Sequence, residues 1–267
     1  MLIAQLTDTH ITRPGTLASG RVDTAAMLRA AVAAVAALST PPDLLLLSGD
    51  LVDAGDPAEY ALLREILGPL QQLPWLVLPG NHDERGAMRA AFPEQHWASD
   101  CAPFLQQSRA VGPLQLISLD TVRPGHGGGE LCSERLAWLE GALSAAAGRP
   151  TLLAMHHPPF ESGLREMDEE LGLIGRAEFA AVVARHRAQL QLIVCGHLHR
   201  TVQATVGGCA ATSAPSTAHQ ITLDLRRESP ASFCMEPPGF LLHRWTPQQG
   251  FVSLAAAVGA YPGPFAF

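Results

Sequence analysis

The chain is poor in charge and contains no lysine. Only 16% of its 267 residues are charged, and all 18 basic residues are arginine. The formal net charge of −7 excludes the positive surface that attracts a polyanionic nucleic acid. No stripe of basic residues marks a DNA or RNA groove. We therefore expect no nucleic-acid partner, and a phosphate-bearing substrate would have to be held locally by metal ions or a few arginines.

Paired cysteines and long apolar runs are also missing. The five cysteines are scattered without a C-x-x-C spacing, which argues against a zinc ribbon and predicts reduced thiols in a cytoplasmic protein. No apolar run reaches about 18 residues without a charge or turn former, apart from an alanine-rich predicted helix, so we expect no membrane span. The apolar residues 2–6 lack a basic leader, which predicts a strand rather than a signal peptide.

Short apolar runs alternate with helical patterns along most of the chain. The runs predict buried strands near residues 2–6, 44–47, 75–78, 114–119, 151–155 and 192–195. Helices are predicted between them, with Asp23 and Ser133 as N-caps and one helix running from 176 to 190. Further runs at 201–206, 209–213, 220–225 and 240–245 predict antiparallel strands. Together these patterns predict an α/β domain with central sheets and outer helices.

We expect one main domain over residues 1–225, followed by a C-terminal extension over residues 226–267. The extension is rich in proline and aromatic residues. It is interpreted as an added hairpin, a lid or a subunit contact, or as part of the same domain. Its apolar character favours a homodimer or a higher homo-oligomer.

Five predicted strands run directly into residue types that bind metals. These residues are Asp8 and His10, Asp50 and Asp53, Asn81 with His82 and Asp83, His156 with His157, and His197 with His199. In open α/β sheets, sites form just beyond the carboxyl ends of the strands. Five such clusters are expected to converge on one site if the strands lie side by side.

The donor types indicate the kind of metal. Imidazole, carboxylate and amide ligands without cysteine suit Mn, Fe, Zn or Co and argue against Cu(I) or an iron–sulfur cluster. Seven donors are too many for one ion and suit two ions if one carboxylate bridges them. Gly49, Gly80 and Gly196 precede three of the clusters, and glycine permits the close backbone approach that a shared cavity requires.

The ordered blocks D-x-H, G-D-x-x-D, G-N-H-D, H-H-P-P and G-H-x-H resemble those of the calcineurin-like metallophosphoesterase superfamily. They extend from Asp8 to His199, about three quarters of the chain. The H-H-P-P block, the glycine-rich residues 124–129 and residues 235–239 are similar to the bacterial branch that contains class III cyclic-nucleotide phosphodiesterases and glycerophosphodiesterases.

The resemblance implies a four-layer αββα sandwich of two mixed β-sheets flanked by helices. It also implies a centre of two divalent ions with Asp50 as the bridging ligand. One ion would take Asp8, His10, Asp50 and His199, and the other would take Asp50, Asn81, His156 and His197. His82 would hydrogen-bond the phosphate and protonate the leaving alkoxide. Asp53 or Asp83 would orient His82.

The predicted activity is hydrolysis of a small phosphodiester, either a 3′,5′-cyclic nucleotide or a glycerophosphodiester, by attack of a metal-bridging hydroxide. The alternatives are a phosphomonoesterase, a pyrophosphate hydrolase acting on a nucleotide-linked lipid, and a non-catalytic metal-binding scaffold. The metals define the reaction, whereas the surrounding loops define the leaving group.

Several residues near the blocks admit a structural reading. Asp53 could instead cap the helix that begins near Pro57, and Asp83 is equally open. His157 either lines the pocket or supports it as a core residue, and His126 in the glycine-rich loop either touches substrate or is solvated. His219 and His243 lack metal-ligand spacing and are interpreted as structural.

Overall fold

The computed structural model describes residues 1–226, 228 and 230–266, and most of its strands form two large mixed sheets. The strands are β1 (Leu2–Leu6), β2 (Leu44–Ser48), β3 (Trp75–Leu78), β4 (Gln107–Val111), β5 (Leu114–Ser118), β6 (Gly129–Glu130), β7 (Thr151–Ala154), β8 (Leu173–Ile174), β9 (Leu190–Cys195), β10 (Gln203–Val206), β11 (Cys209–Ser213), β12 (Gln220–Ile221), β13 (Phe233–Cys234), β14 (Gly239–Thr246) and β15 (Gly250–Ala257). The helices are α1 (Thr24–Ala36), α2 (Pro57–Ile66), α3 (Arg85–Ala91), α4 (Ser133–Ala145), α5 (Arg165–Glu169) and α6 (Arg176–Arg185).

The two large sheets each have a parallel centre. Sheet I has the order β15-β14-β1-β2-β3, and its strands β1, β2 and β3 are parallel. Sheet II has the order β10-β11-β9-β7-β5-β4, and β5, β7, β9 and β11 are parallel. The short pairs β6–β8 and β12–β13 lie outside both sheets.

The apolar runs are continuous because each central strand is covered on both faces. In β2, Leu44 and Leu46 join a cluster that also contains Leu116 and Leu152 of sheet II. Leu45 and Leu47 point the other way and pack with the residues of α1 and α2. A third cluster places α4 and α6 against the outer face of sheet II. These contacts give the layers helix, sheet, sheet and helix, which confirms the predicted α/β architecture.

The helix caps differ in part from the sequence expectations. Asp23 accepts a hydrogen bond from the Ala26 N–H at 2.9 Å and caps α1 as predicted. Asp56, not Asp53, caps α2 and forms a capping box with Glu59, so the capping alternative for Asp53 was wrong. Ser133 is the first residue of α4 rather than its cap, because Cys132 holds the cap position without a side-chain bond.

The second half of the chain departs most from the predicted strands. β11 pairs antiparallel with β10 but parallel with β9, so the prediction of purely antiparallel strands was wrong there. β4 was not predicted, and the helix expected to reach residue 190 ends at Arg185. β14 pairs with β1 and β15 pairs with β14, so residues 239–257 complete sheet I. In the described part of the chain, no helix has the length and apolarity needed to cross a membrane.

Candidate metal centre

The seven predicted ligands lie together at one end of the two packed sheets. β1, β2 and β3 of sheet I end there, as do β7 and β9 of sheet II, so the strands converge from two sheets rather than from one. His156 Nε2 is 3.3 Å from Asp50 Oδ2, and His199 Nε2 is 3.4 Å from Asp8 Oδ1. His10 Nε2 lies 3.8 Å from the same Asp50 oxygen. Asp50 therefore stands between donors from both sheets.

Asn81 and His197 are placed beside the other predicted ligands by backbone hydrogen bonds. The N–H of His82, next to Asn81, donates to Asp50 Oδ1 at 2.8 Å. The N–H of His197 donates to Asp8 Oδ2 at 3.0 Å, and its ring centroid lies 5.2 Å from that of His156. These two hydrogen bonds join four of the five blocks in pairs, through the carboxylates of Asp8 and Asp50.

The backbone at the centre adopts an uncommon conformation. Six non-glycine residues in the described chain have positive φ, and five of them are predicted ligands: Asp8, His10, Asp50, His197 and His199. Such residues persist only where the surrounding structure holds them, and they concentrate at functional sites. The strain is therefore a second indication, independent of the side chains, that these loops are built around a site.

Close backbone approach explains two of the glycines. A Cβ at Gly196 would collide with the Thr7 hydroxyl and the Asp8 carboxylate, and a Cβ at Gly80 would collide with the backbone and carboxylate of Asp50. Both positions consequently require glycine for the ligand loops to pack together.

Three of the predicted ligand imidazoles are oriented by backbone carbonyls. His156 Nδ1 donates to Ser48 O at 2.9 Å, His197 Nε2 to Leu171 O at 2.9 Å, and His199 Nδ1 to His219 O at 2.8 Å. Metal-binding histidines characteristically engage one ring nitrogen in this way and keep the other for the metal.

Within the described part of the chain, two buried atoms that could bind a metal, Asn81 Oδ1 and His156 Nε2, have no hydrogen-bond partner, although His156 Nε2 lies 3.3 Å from Asp50 Oδ2. A buried polar atom without a partner is costly, and a bound cation would satisfy both. The donor types, the oriented rings and these two atoms together fit divalent metal ions.

Histidines balance the charges of the buried aspartates at the centre. Burial would raise the pKa of Asp8, but His199 and His156 lower it to about 2. Burial would lower the pKa of His156, but Asp50 and Asp8 raise it to about 9. Divalent cations would replace these protons, so metal binding at neutral pH should release protons.

His82 lies at the open side of the centre, with 39% of its side chain exposed. Its Nδ1 donates to the Asp53 carbonyl oxygen at 2.7 Å, which leaves Nε2 free. The Asp53 carboxylate lies 4.0 Å from His82 Nδ1 and 3.5 Å from His10 Nδ1. Asp53 thus contacts His82 mainly through its backbone and approaches a ligand imidazole with its side chain.

Asp83 makes its hydrogen bonds elsewhere. Its carboxylate accepts from the N–H groups of Gly80 and Leu51 and from the Tyr60 hydroxyl, and no hydrogen bond joins it to His82. No direct hydrogen bond among the described residues therefore supports the expectation that Asp83 orients His82.

His219 is the residue that sequence reasoning missed. Its ring centroid lies 4.7 Å from that of His199 and 5.4 Å from that of His10, and Phe233 packs on it at 4.8 Å. It follows β11, whose carboxyl end lies at the same edge as that of β9. A parallel assignment of β11 would have revealed it.

The remaining histidines have distinct surroundings. His157 is fully buried, with Nδ1 bonded to Thr121 Oγ1 at 2.8 Å and Nε2 to Gly127 O at 3.1 Å, and its ring lies 4.5 Å from that of His197. Because both ring nitrogens of His157 form hydrogen bonds, neither is available to a metal ion, and the ring packs against the predicted ligand His197. His126 is exposed, and His243 is bonded to Gln5 within sheet I, as a structural residue should be.

The packed sheets and the histidine- and aspartate-rich centre at their common end define a metallophosphoesterase. The family model of the calcineurin-like phosphoesterases matches residues 1–201, and the chain belongs to that family.

Two curated relatives and one solved structure illustrate the likeness. "Probable glycerophosphodiester phosphodiesterase GpdQ" of Arcobacter nitrofigilis is 35% identical and covers 100% of this chain and 97% of its own. The 3′,5′-cyclic adenosine monophosphate phosphodiesterase CpdA of Escherichia coli is 30% identical over 82% of this chain and 76% of its own. A dimetal phosphatase from Danio rerio superposes with a TM-score of 0.64 over 97% of this chain and 99% of its own, at 13% identity, and so shares the fold.

Proposed function

We propose that this chain hydrolyses a small phosphodiester at a centre of two divalent metal ions, Mn, Fe, Zn or Co. The observation that carries the proposal is that six of the predicted ligands, all but Asn81, fall into groups whose side-chain atoms lie close enough together to hold a metal ion. Among the described residues, Asn81 Oδ1 and His156 Nε2 are also buried without a hydrogen bond. One ion would be held by Asp8, His10, Asp50 and His199, and the other by Asp50, Asn81, His156 and His197. When bound, such ions polarise the phosphoryl group and lower the pKa of a bound water.

His82 is proposed as the general acid. Its Nδ1 is occupied by the Asp53 carbonyl, so Nε2 is the atom that hydrogen-bonds the phosphate and transfers a proton to the leaving alkoxide. Burial opposes the charged form, but Asp50 and Asp53 outweigh it and raise the pKa of His82. Asp53, through its carbonyl, holds the ring in this tautomer.

The charge of the centre favours a diester over a monoester. In the described residues, the carboxylates of Asp8, Asp50 and Asp53 form ion pairs with histidines and with no arginine. A phosphodiester carries one negative charge, whereas a monoester carries nearly two at neutral pH. A site in which no arginine adds to the charge of the metal ions suits the smaller charge.

Glycerophosphodiesters are the first candidate substrates. The relative named for glycerophosphodiesters aligns with all of this chain, including β14 and β15, whereas the relative named for cyclic adenosine monophosphate aligns with 82% of it. Cyclic nucleotides are the second candidate because that relative still spans most of the chain.

The exposed apolar residues and the free cysteines support proposals about the oligomeric state and the cellular location of the protein. We propose a homo-oligomer formed through the C-terminal extension, where Leu254, Tyr261 and Phe265 are more than half exposed. The five free cysteines are consistent with a cytoplasmic protein.

A substrate panel on metal-free and Mn-reconstituted protein tests the proposal. We expect metal-dependent hydrolysis of bis(p-nitrophenyl) phosphate, slower hydrolysis of p-nitrophenyl phosphate, and glycerophosphodiesters preferred over cyclic adenosine monophosphate. Inactivity toward every diester with each of the four metals would favour the scaffold alternative.

A further inference from the structure

Tyr60 lies outside all five sequence blocks, yet it reaches the centre from α2. Its side chain is buried, and its ring packs edge-on against Phe92 with centroids 6.3 Å apart. The hydroxyl donates to Asp83 Oδ1 at 2.8 Å and accepts from the Glu84 N–H at 3.2 Å. A buried phenol that both donates and accepts is held in a single orientation.

The other oxygen of Asp83 joins two ligand loops. Oδ2 accepts from the Gly80 N–H at 2.9 Å and from the Leu51 N–H at 3.2 Å. Leu51 is adjacent to the bridging candidate Asp50, and Gly80 is adjacent to Asn81. One carboxylate therefore ties the loop after β2 to the loop after β3, and Tyr60 anchors that carboxylate to α2.

The protonation of Tyr60 is consistent with its hydrogen bond to Asp83. Burial and the neighbouring Asp83 carboxylate raise the pKa of Tyr60, so the phenol stays protonated and remains a donor.

We propose that Tyr60 is a positioning residue of the metal centre, acting through Asp83 to hold Asp50 and Asn81 at the spacing that a shared ion requires. The inference rests on the proposed function. Residues that orient metal ligands typically change metal affinity about 10- to 100-fold when they are replaced. Loss of the hydroxyl should therefore weaken metal binding more than it slows the chemistry at saturating metal.

The chain offers a matched control because it contains only two tyrosines. Tyr60→Phe keeps the ring and its packing, whereas Tyr261→Phe removes a hydroxyl from the exposed C-terminal extension. Titration of metal-free protein with Mn²⁺ in a calorimeter should show at least about 10-fold weaker binding for Tyr60→Phe and wild-type binding for Tyr261→Phe. Circular dichroism checks the fold of both variants, and kcat is compared at saturating Mn²⁺.

A double-mutant cycle tests the route through Asp83. In an Asp83→Asn background, Tyr60→Phe should cause little further loss of metal affinity, because the carboxylate it anchors is gone. In protein labelled with 3-fluorotyrosine, the Tyr60 signal, identified as the one that remains in Tyr261→Phe, should shift in Asp83→Asn while the Tyr261 signal stays in place. This measurement needs no folded Tyr60 variant.

The outcomes separate the two claims. If wild-type protein binds Mn²⁺ and hydrolyses diesters while folded Tyr60→Phe binds Mn²⁺ equally well, the role of Tyr60 is wrong and the proposed function stands. Full additivity in the cycle, or an unmoved Tyr60 signal in Asp83→Asn, would likewise overturn the role of Tyr60. If wild-type protein binds no divalent ion, the proposed function fails.

Discussion

The two sheets supply different chemistry to the centre. Every oxygen donor among the seven candidates follows a strand of sheet I, and so does the proposed acid His82. Sheet II supplies imidazoles alone, from His156, His197 and His199. The carboxylates carry the charge that attracts a cation, whereas the imidazoles of sheet II would bind it as neutral ligands whose orientation is set by carbonyls. Replacing a candidate carboxylate ligand that follows sheet I should therefore abolish function, whereas replacing a residue that supports the imidazoles of sheet II should weaken metal binding.

The largest effect is expected at the ligand that both ions share. Asp50→Ala removes the carboxylate that stands between His10 and His156, so we expect the loss of both metals and of measurable turnover. Metal content by plasma mass spectrometry after reconstitution, together with diester hydrolysis, measures this. Two metals retained per chain would refute the bridging assignment.

Replacing the proposed acid should separate chemistry from metal binding. His82→Ala leaves all seven candidate ligands in place, so we expect unchanged metal content with a kcat about 10²- to 10⁴-fold lower. The deficit should be smaller for substrates with p-nitrophenolate as the leaving group, which needs little protonation. A wild-type kcat on alkyl diesters would exclude His82 from the mechanism.

Replacing His157, which follows β7 of sheet II, should weaken metal binding and leave kcat nearly unchanged, the reverse of the effect expected for His82→Ala. His157→Asn removes the ring that packs on His156 and His197, and we expect metal affinity to fall about 10-fold or more with kcat at saturating metal near that of wild type. Titration of activity with Mn²⁺ gives both quantities. A kcat loss as large as that of His82→Ala would remove the contrast between the sheets.

Away from the centre, the same sheet I contains a pH-sensitive contact. His243 is fully buried between Gln5 and Ser253, and burial lowers its pKa to about 3 from an ordinary 6.5. Below pH 6.5 the unfolded chain binds a proton that the folded chain does not, so stability falls as the pH decreases toward 3. At pH 5 this costs about 2 kcal/mol, at about 1.4 kcal/mol per pH unit.

Denaturation of metal-free protein between pH 7 and 5 measures this effect. His243→Gln should reduce the loss of unfolding free energy between pH 7 and 5 by about 2 kcal/mol, since it removes the titrating group. An identical slope in wild type and variant would show that folding does not lower the pKa of His243.

The sequence predicted the centre better than it predicted the sheets. The candidate ligands were recognisable because each lies at a strand end within a short local pattern. Pairing partners are set by contacts between distant segments, and for this reason β14 beside β1 and the parallel register of β11 escaped the local patterns. His219 escaped for the same reason, since its proximity to His199 depends on that register.

The side-chain contacts of Asp53 and Asp83 could not be predicted from local sequence patterns either. Asp53 and Asp83 both neighbour a candidate ligand in sequence, yet their carboxylates point to different partners. The phenol that binds Asp83 comes from a helix 23 residues earlier in the chain, and no spacing rule connects the two.

Asn81 allows the most direct test of a metal centre spanning both sheets, because it is the only asparagine in the chain. Protein labelled with [¹⁵N]asparagine should give one side-chain amide pair in a heteronuclear spectrum. We predict that this pair shifts on addition of Zn²⁺ and that the shift is complete by two equivalents. An amide pair that stays unchanged through excess Zn²⁺ would contradict the assignment of Asn81 and the shared centre built on it.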